Sequence, residues 1–178
     1  MSNTIIRAID FAAKKHCNQR RKDAERTPYI NHPLAVANLL ANEAGIDDEY
    51  VLVAAILHDT IEDTSTTDEE LTELFGSDVA AIVQEVSDDK SLTKDERKRL
   101  QITYARSLSY GAKLVKIADM ISNLRDIAAN PPADWSVERK TQYFEWARAV
   151  VDAFGDVNPT LETLFGEAYD EGIAAVLA

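Results

Sequence analysis

The segment His58-Asp59-Thr60-Ile61-Glu62-Asp63-Thr64 sets a His-Asp doublet four residues before a Glu-Asp doublet. On a helix that spacing places His58 over Glu62 and Asp59 over Asp63. The run before it, Val51 to Leu57, is apolar all round, which predicts a buried helix. Ionisable groups at the end of a buried helix are costly to desolvate unless something compensates them, and a divalent metal is the natural compensation. His32, in Thr27-Pro28-Tyr29-Ile30-Asn31-His32-Pro33, and Asp119, in the stretch from Lys116 to Asp126, suit the same centre. His32, His58, Asp59 and Asp119 together form a two-imidazole, two-carboxylate set. Mixed nitrogen and oxygen donors without thiolate favour Mn, Fe or Zn over Ca or Mg. An octahedral ion held this way keeps positions for water and a substrate oxygen, which is the arrangement for metal-assisted hydrolysis. Glu62 and Asp63 stand where they orient that water or move its protons. The competing reading makes them supports that hold ligand histidines in position.

The elements that must position these groups read as helices throughout. Ile5, Ile9, Ala12 and His16 form the apolar face of a first helix, where His16 is expected to be a hydrogen-bonded core residue rather than a ligand. Pro33 suits the first turn of a helix running to Glu43 or Ala44, stopped by Gly45. Asp47 or Asp48 caps the buried helix that carries the His-Asp doublet. Thr67 to Glu70 and Thr93 to Glu96 have capping-box spacing, opening helices that end at Gly76 and about Leu108. Ser77 caps a helix through about Val86. Gly111 precedes a helix bearing Lys116, Asp119 and Asn123, ended by Pro131-Pro132. Ser136 caps the next, stopped by Gly155, and Asn158-Pro159 opens the last. No run alternates strictly between hairpin turns, so a sheet is not expected. The expectation is an all-α fold in one domain spanning residues 1–178.

Composition narrows the function. A chain of 178 residues with 46% hydrophobic residues supports a sizeable core without disulfides, and Cys17 is its only cysteine. No apolar run reaches membrane-spanning length or resembles a signal peptide, so a cytoplasmic protein with no membrane partner is expected. A net charge of −12 disfavours nucleic acid as a partner. An anionic small-molecule substrate then requires local basic groups. These occur at Arg20, Arg21, Lys22 and Arg26, and again at Lys94, Arg97, Lys98 and Arg99. The second cluster reads equally well as a solvated helix face.

The blocks Arg20 to Asp23, Thr27 to Pro33, His58 to Thr64 and Lys116 to Asp126, in that order, resemble the HD-domain hydrolases of the RelA/SpoT group. Within it they look most like the small stand-alone alarmone hydrolases, the metazoan-type SpoT homologues. Asp88-Asp89-Lys90, Glu96 to Gln101 and Tyr143 to Ala147 extend the resemblance to about residues 4–155. It implies an HD-domain helical fold and a Mn²⁺-dependent enzyme that removes pyrophosphate from the 3′ position of ppGpp and pppGpp. It also implies a catalytic role for Glu62 and Asp63 and a substrate-binding role for Arg21 and Lys22; Glu62 is preferred here as the proton carrier, though the sequence does not separate the roles of the two. A planar guanidinium stacks on a purine and an ammonium suits phosphate, so Arg21 is assigned to the base and Lys22 to phosphate or its own loop. Arg20 is the alternative for Arg21. Asn123, one turn beyond Asp119, reaches toward ribose hydroxyls. Lys116 either contacts substrate or makes a surface salt bridge, and Tyr143 either lines the nucleotide pocket or packs the core. The long enzymes of the group often carry Thr where Asp126 stands here, and the length leaves no room for their nucleotide-synthesising domain. Two rival readings stand beside this one. One is removal of the 2′-phosphate of NADPH on the same metal site. The other is a nucleotide-sensing module with dead chemistry, against which the intact donor set argues. Oligomeric state is not legible in the sequence.

Overall fold

The computed structural model describes residues 3–178 and is all α-helical over them. The helices are α1 (Asn3–Lys15), α2 (Asn31–Asn38), α3 (Glu49–Leu57), α4 (Thr60–Asp63), α5 (Asp68–Phe75), α6 (Ser77–Val86), α7 (Lys94–Tyr104), α8 (Tyr110–Ala129), α9 (Val137–Phe154) and α10 (Pro159–Leu177). A π-helical segment, Leu39–Glu43, extends α2, and a 3₁₀ turn, Ala105–Ser107, extends α7. Among the described residues the β pairing is confined to one isolated antiparallel bridge, Arg20 to Pro28. That bridge folds the loop between α1 and α2 back on itself.

The termini form where the side chains offer caps. Asp48 accepts from the backbone N–H groups of Tyr50 and Val51, Thr67 from Glu70, Thr93 from Glu96, Ser136 from Arg139 and Asn158 from Leu161. Two expected starts are displaced. Gly76, at φ +93°, occupies the cap position of α6 and makes Ser77 its first helical residue. Ser109 caps α8, so Gly111 lies inside its first turn, packed against the side chain of Ile82.

α8 is the spine. It buries Leu114, Val115, Ile117, Ala118, Met120, Ile121 and Leu124, and α2, α3, α6, α9 and α10 pack around it. α3 buries Val51, Val53, Ala54, Ala55, Ile56 and Leu57 against the same core, as an all-round apolar helix must. The C-terminal end of α3, the first turn of α2 and the middle of α8 therefore meet at one place.

α10 crosses close to the ring of Phe144, which is fully buried. A Cβ at Gly172 would lie 2.4 Å from its Cε1 and 2.6 Å from Cζ. Gly172→Ala gains about 1 kcal/mol of helix propensity but overpacks the core at a cost of about 1–3 kcal/mol. Urea unfolding should show a net loss of stability, and a midpoint at or above that of the wild type would mean the ring has room to move.

Candidate active site

The expected single helix through residues 51–64 is broken. α3 ends at Leu57, and Asp59, at φ −96° and ψ 0°, leads into the separate turn α4. Two side chains stabilise the break. Thr60 Oγ1 donates to the carbonyl of Leu57 at 2.7 Å, and His58 Nδ1 lies 2.8 Å from the carbonyl of Ala55. Both satisfy carbonyls left free at the helix end. The Asp59 carbonyl still accepts from the Asp63 N–H at 2.9 Å, so that one turn survives. The bend separates the two doublets by destination. His58 and Asp59 face α2 and α8, while Glu62 and Asp63 face loops on either side.

Four donor groups converge where the helices meet. His58 Nε2 is 3.0 Å from Asp59 Oδ2, and His32 Nε2 is 3.0 Å from Asp119 Oδ1. The crossed distances are 3.9 Å for His32 to Asp59 and 3.8 Å for His58 to Asp119. Ligand atoms about 2.1 Å from a common ion stand about 3 Å from their nearest neighbours, so these spacings suit one coordination sphere. Ligand atoms of His32, His58 and Asp59 all lie within 4.8 Å of one another, and Asp119 stands outside that tighter trio, its Oδ1 beside the two histidines at 3.0 and 3.8 Å. The supports also fit. His58 Nδ1–H donates to Ala55, leaving Nε2 as the lone-pair nitrogen. That Nε2 is buried and has no hydrogen-bond partner despite the nearby carboxylate. A bare lone pair facing a carboxylate oxygen is repulsive, and a cation between them removes the conflict. His32 Nδ1 meets Ser122 Oγ at 3.3 Å, Tyr29 donates its hydroxyl to Asp59 Oδ2 at 2.5 Å, and Asn123 Nδ2 donates to Asp119 Oδ1 at 2.7 Å. Lys116 Nζ lies 3.7 Å from Asp119 Oδ2.

The electrostatics show how strongly this centre wants positive charge. Burial opposes charge on His58, yet the Asp59 and Asp119 carboxylates outweigh it and raise its pKa to about 9. Asp59 and Asp119 are held below the ordinary carboxylate range in spite of burial, Asp59 chiefly by His58 and Asp119 by its bond to His32 and by Lys116. Burial and the Asp59 charge push the Tyr29 phenol far up, so it stays protonated and donates. A proton on His58 thus does part of the work that a divalent ion would do.

Glu62 and Asp63 share Lys90 as a neighbour but differ in their other partners. Glu62 Oε2 accepts from the Asp88 N–H at 3.2 Å, and its Oε1 is 3.5 Å from Arg97 and 3.7 Å from Lys90. Burial, then the nearby Asp59 charge, raise its pKa above the ordinary glutamate value. Asp63 is clamped at both oxygens, by Gln19 Nε2 at 2.7 Å on Oδ2 and by the Lys90 ammonium on Oδ1.

A cleft of about 430 Å³ opens beside the centre, lined by Arg21, Lys22, Tyr29, Asp63, Asn123 and Tyr143 among others. Arg21 donates to Asp126 Oδ2 at 2.5 Å and Asn123 Oδ1 at 3.3 Å, with its guanidinium 5.7 Å from the Tyr29 ring centroid. Asp126 therefore anchors Arg21. The Arg20 guanidinium instead folds back onto the carbonyls of Cys17 and Gln19. Lys116 does not line this cleft. It belongs to a smaller cavity bounded by Asp88, Arg97, Gln101 and Phe154. Tyr143 both lines the cleft and packs between Trp135 and Trp146. The second basic cluster is not simply solvated. Lys98 lies over the Trp146 and Tyr143 rings, Lys94 over Trp135, and Arg97 turns inward to Glu62 and Asp88. Tyr29, Gln19, Lys90 and Trp135 are the neighbours that the sequence left unassigned. Tyr29 and Lys90 had a signal, Tyr29 in the block containing His32 and Lys90 in the block Asp88-Asp89-Lys90.

Residues 8–144 match the model of a family described as the HD domain. The chain is 54% identical over 171 residues to guanosine-3′,5′-bis(diphosphate) 3′-pyrophosphohydrolase MESH1 of Xenopus tropicalis, covering 96% of each chain. It is 55% identical over 158 residues to the Homo sapiens protein of the same name, covering 89% of this chain and 88% of that one. A solved structure described as a metazoan orthologue of SpoT that hydrolyses ppGpp superposes with a TM-score of 0.92 at 49% identity, covering 96% of each chain. The chain belongs to the HD-domain family and, within it, to the small stand-alone alarmone hydrolases of the metazoan SpoT-homologue type.

Proposed function

We propose that this protein hydrolyses ppGpp and pppGpp to GDP or GTP and pyrophosphate, with Mn²⁺ as its ion. The observation that carries the reading is the convergence of His32, His58, Asp59 and Asp119 on one point beside a nucleotide-sized cleft. The MESH1 relatives, named for this reaction, support the choice of substrate. His32, His58, Asp59 and Asp119 would hold the ion, which when bound makes water more acidic and offsets charge on the phosphoryl group. Glu62, raised in pKa by burial and anchored by Asp88, takes the proton of the attacking water. Asp63, fixed at both oxygens, orients that water. Arg21 faces the base, and Asn123 faces the ribose while it bonds Asp119, so one turn of α8 ties the sugar to the centre. Lys22 lines the cleft, and Lys94 and Arg139 lie over Trp135 of its wall, where burial and then the Arg139 and Lys22 charges lower the Lys94 pKa. This local field answers the net charge of −12. Lys116 stands beside Asp119 but outside the cleft, so its charge would act on the phosphate through the centre rather than by lining the nucleotide site. We place the protein in the cytoplasm, without nucleic acid as partner, as one domain over residues 1–178. Among the described residues no helix is long and apolar enough to cross a membrane.

The test is kcat/KM for ppGpp, pppGpp and NADPH under identical Mn²⁺ and salt. The guanosine substrates are expected to lead, and Arg21→Ala should weaken them by about 1–2 kcal/mol through lost stacking on the base. A kcat/KM for NADPH above that for ppGpp would overturn the substrate reading while leaving the metal centre standing.

A further inference from the structure

The Asp63 carboxylate is held from outside the metal centre by a chain that begins at His16, buried in the turn just after α1. Gln19, in the loop after α1, donates from Nε2 to Asp63 Oδ2 at 2.7 Å, and its Oε1 lies 2.7 Å from His16 Nδ1. Its backbone is fixed as well, since the Gln19 N–H donates to the His16 carbonyl and the Gln19 carbonyl accepts from the Tyr29 N–H. His16 is buried at 2% exposure and lies against the Tyr29 ring, with centroids 5.0 Å apart. The hydrogen-bond chemistry leaves one assignment. An ionised carboxylate only accepts, so Gln19 must turn its NH₂ toward Asp63. Its carbonyl then faces His16, which must donate from Nδ1. His16 Nε2 is buried without a partner, as befits the bare nitrogen of a neutral Nδ1–H imidazole rather than a second, orphaned N–H.

We propose that His16 and Gln19 are positioning residues for Asp63. The imidazole fixes which way the amide faces, and the amide fixes the plane of the carboxylate. This rests on the reading of Asp63 as part of the hydrolytic site. The pair explains a buried histidine that neither binds metal nor packs as a hydrocarbon would, and it couples the α1–α2 loop bearing Arg21 to the catalytic turn α4. His16 does not line the cleft and Gln19 borders it, so an unchanged KM is what separates positioning of Asp63 from contact with substrate.

The experiment is a double-mutant cycle with Mn²⁺-loaded enzyme and ppGpp, in parallel with imidazole NMR of the wild type. Gln19→Met keeps the volume and removes the amide; kcat should fall about 10-fold or more, the usual scale for losing an outer support, while KM and bound metal stay as in the wild type. In an Asp63→Asn background the same change should cost nothing further. His16→Leu should behave like Gln19→Met, and His16→Asn, whose amide N–H can take the place of Nδ1–H, should recover most of the rate. The ¹⁵N spectrum of the three-histidine wild type should show the His16 imidazole as the Nδ1–H form, assigned by its disappearance in His16→Asn. Wild-type kcat in Gln19→Met, an equal loss in the Asp63→Asn background, or an Nε2–H imidazole at His16 would each overturn the proposal. A wild type that does not hydrolyse ppGpp would instead defeat the substrate reading, with the His16 tautomer still testing the geometry.

Discussion

Asp59→Ala protein is expected to carry no divalent metal after desalting and to hydrolyse no ppGpp, while its helical circular dichroism matches the wild type. Asp59 is tied to three groups of the centre, at 3.0 Å from His58, 3.9 Å from His32 and 2.5 Å from the Tyr29 hydroxyl. Its loss would remove one of the four proposed ligands and leave His58 facing Asp119 alone. The fold should survive because the core of α3 and α8 is built from aliphatic side chains. Chelation of the wild type should likewise abolish turnover, with Mn²⁺ restoring it better than Fe²⁺ or Zn²⁺. A pH signature accompanies the loss. In metal-free wild type His58 holds its proton more tightly folded than unfolded. Its stabilising effect is therefore complete below the ordinary value of 6.5 and fades as pH rises through about 9. Metal-free wild type should lose stability across that window, and Asp59→Ala protein should show a flatter profile. Full activity in protein shown by elemental analysis to be metal-free would sink the assignment.

What the sequence made legible here follows from cost. Histidines and aspartates next to all-apolar runs are expensive to bury, so His58 and Asp59, at the end of Val51 to Leu57, point to a compensated site, whereas Asp119 has no such run beside it and enters only as a residue that suits the same centre. Caps were legible because a hydroxyl or carboxylate must stand at a fixed offset from the helix it satisfies, as Asp48, Thr67 and Thr93 do. The break at Asp59 was not legible. It depends on Thr60 bonding the Leu57 carbonyl, and a threonine in that place fits a continuous helix equally well. The outer contacts were hidden for another reason. Gln19 reaches Asp63 across 44 residues and Lys90 reaches it across 27, both from loops with no periodicity to read. The ambiguity between Arg20 and Arg21 fell in the same class. Arg21 is drawn to α8 by Asp126, a partner 105 residues away.

Glu62→Gln is expected to keep its metal and its nucleotide affinity and to lose roughly 10²-fold or more in kcat, the scale of a missing general base. The separation is possible because Glu62 belongs to a different set of contacts from the ligands. It bonds the Asp88 N–H and faces Arg97 and Lys90, and glutamine can keep the bond from Asp88 through its carbonyl oxygen. What glutamine cannot do is accept a proton. The raised pKa strengthens the case, because a base whose proton affinity lies above that of an ordinary glutamate draws a proton from water more effectively. Burial is the first cause of that shift, and burial persists when a metal offsets the Asp59 charge. The acid limb of the wild-type kcat profile should therefore lie above the ordinary glutamate range, and Glu62→Gln should flatten it. Glu62→Asp, with the carboxylate withdrawn by one methylene, should retain the limb at a reduced rate. Metal content measured on each variant decides between the two readings of this residue. If Glu62→Gln loses its metal, Glu62 supports the ligands and the proton must go elsewhere. With metal retained, the limb absent and kcat down, the proton passes through Glu62.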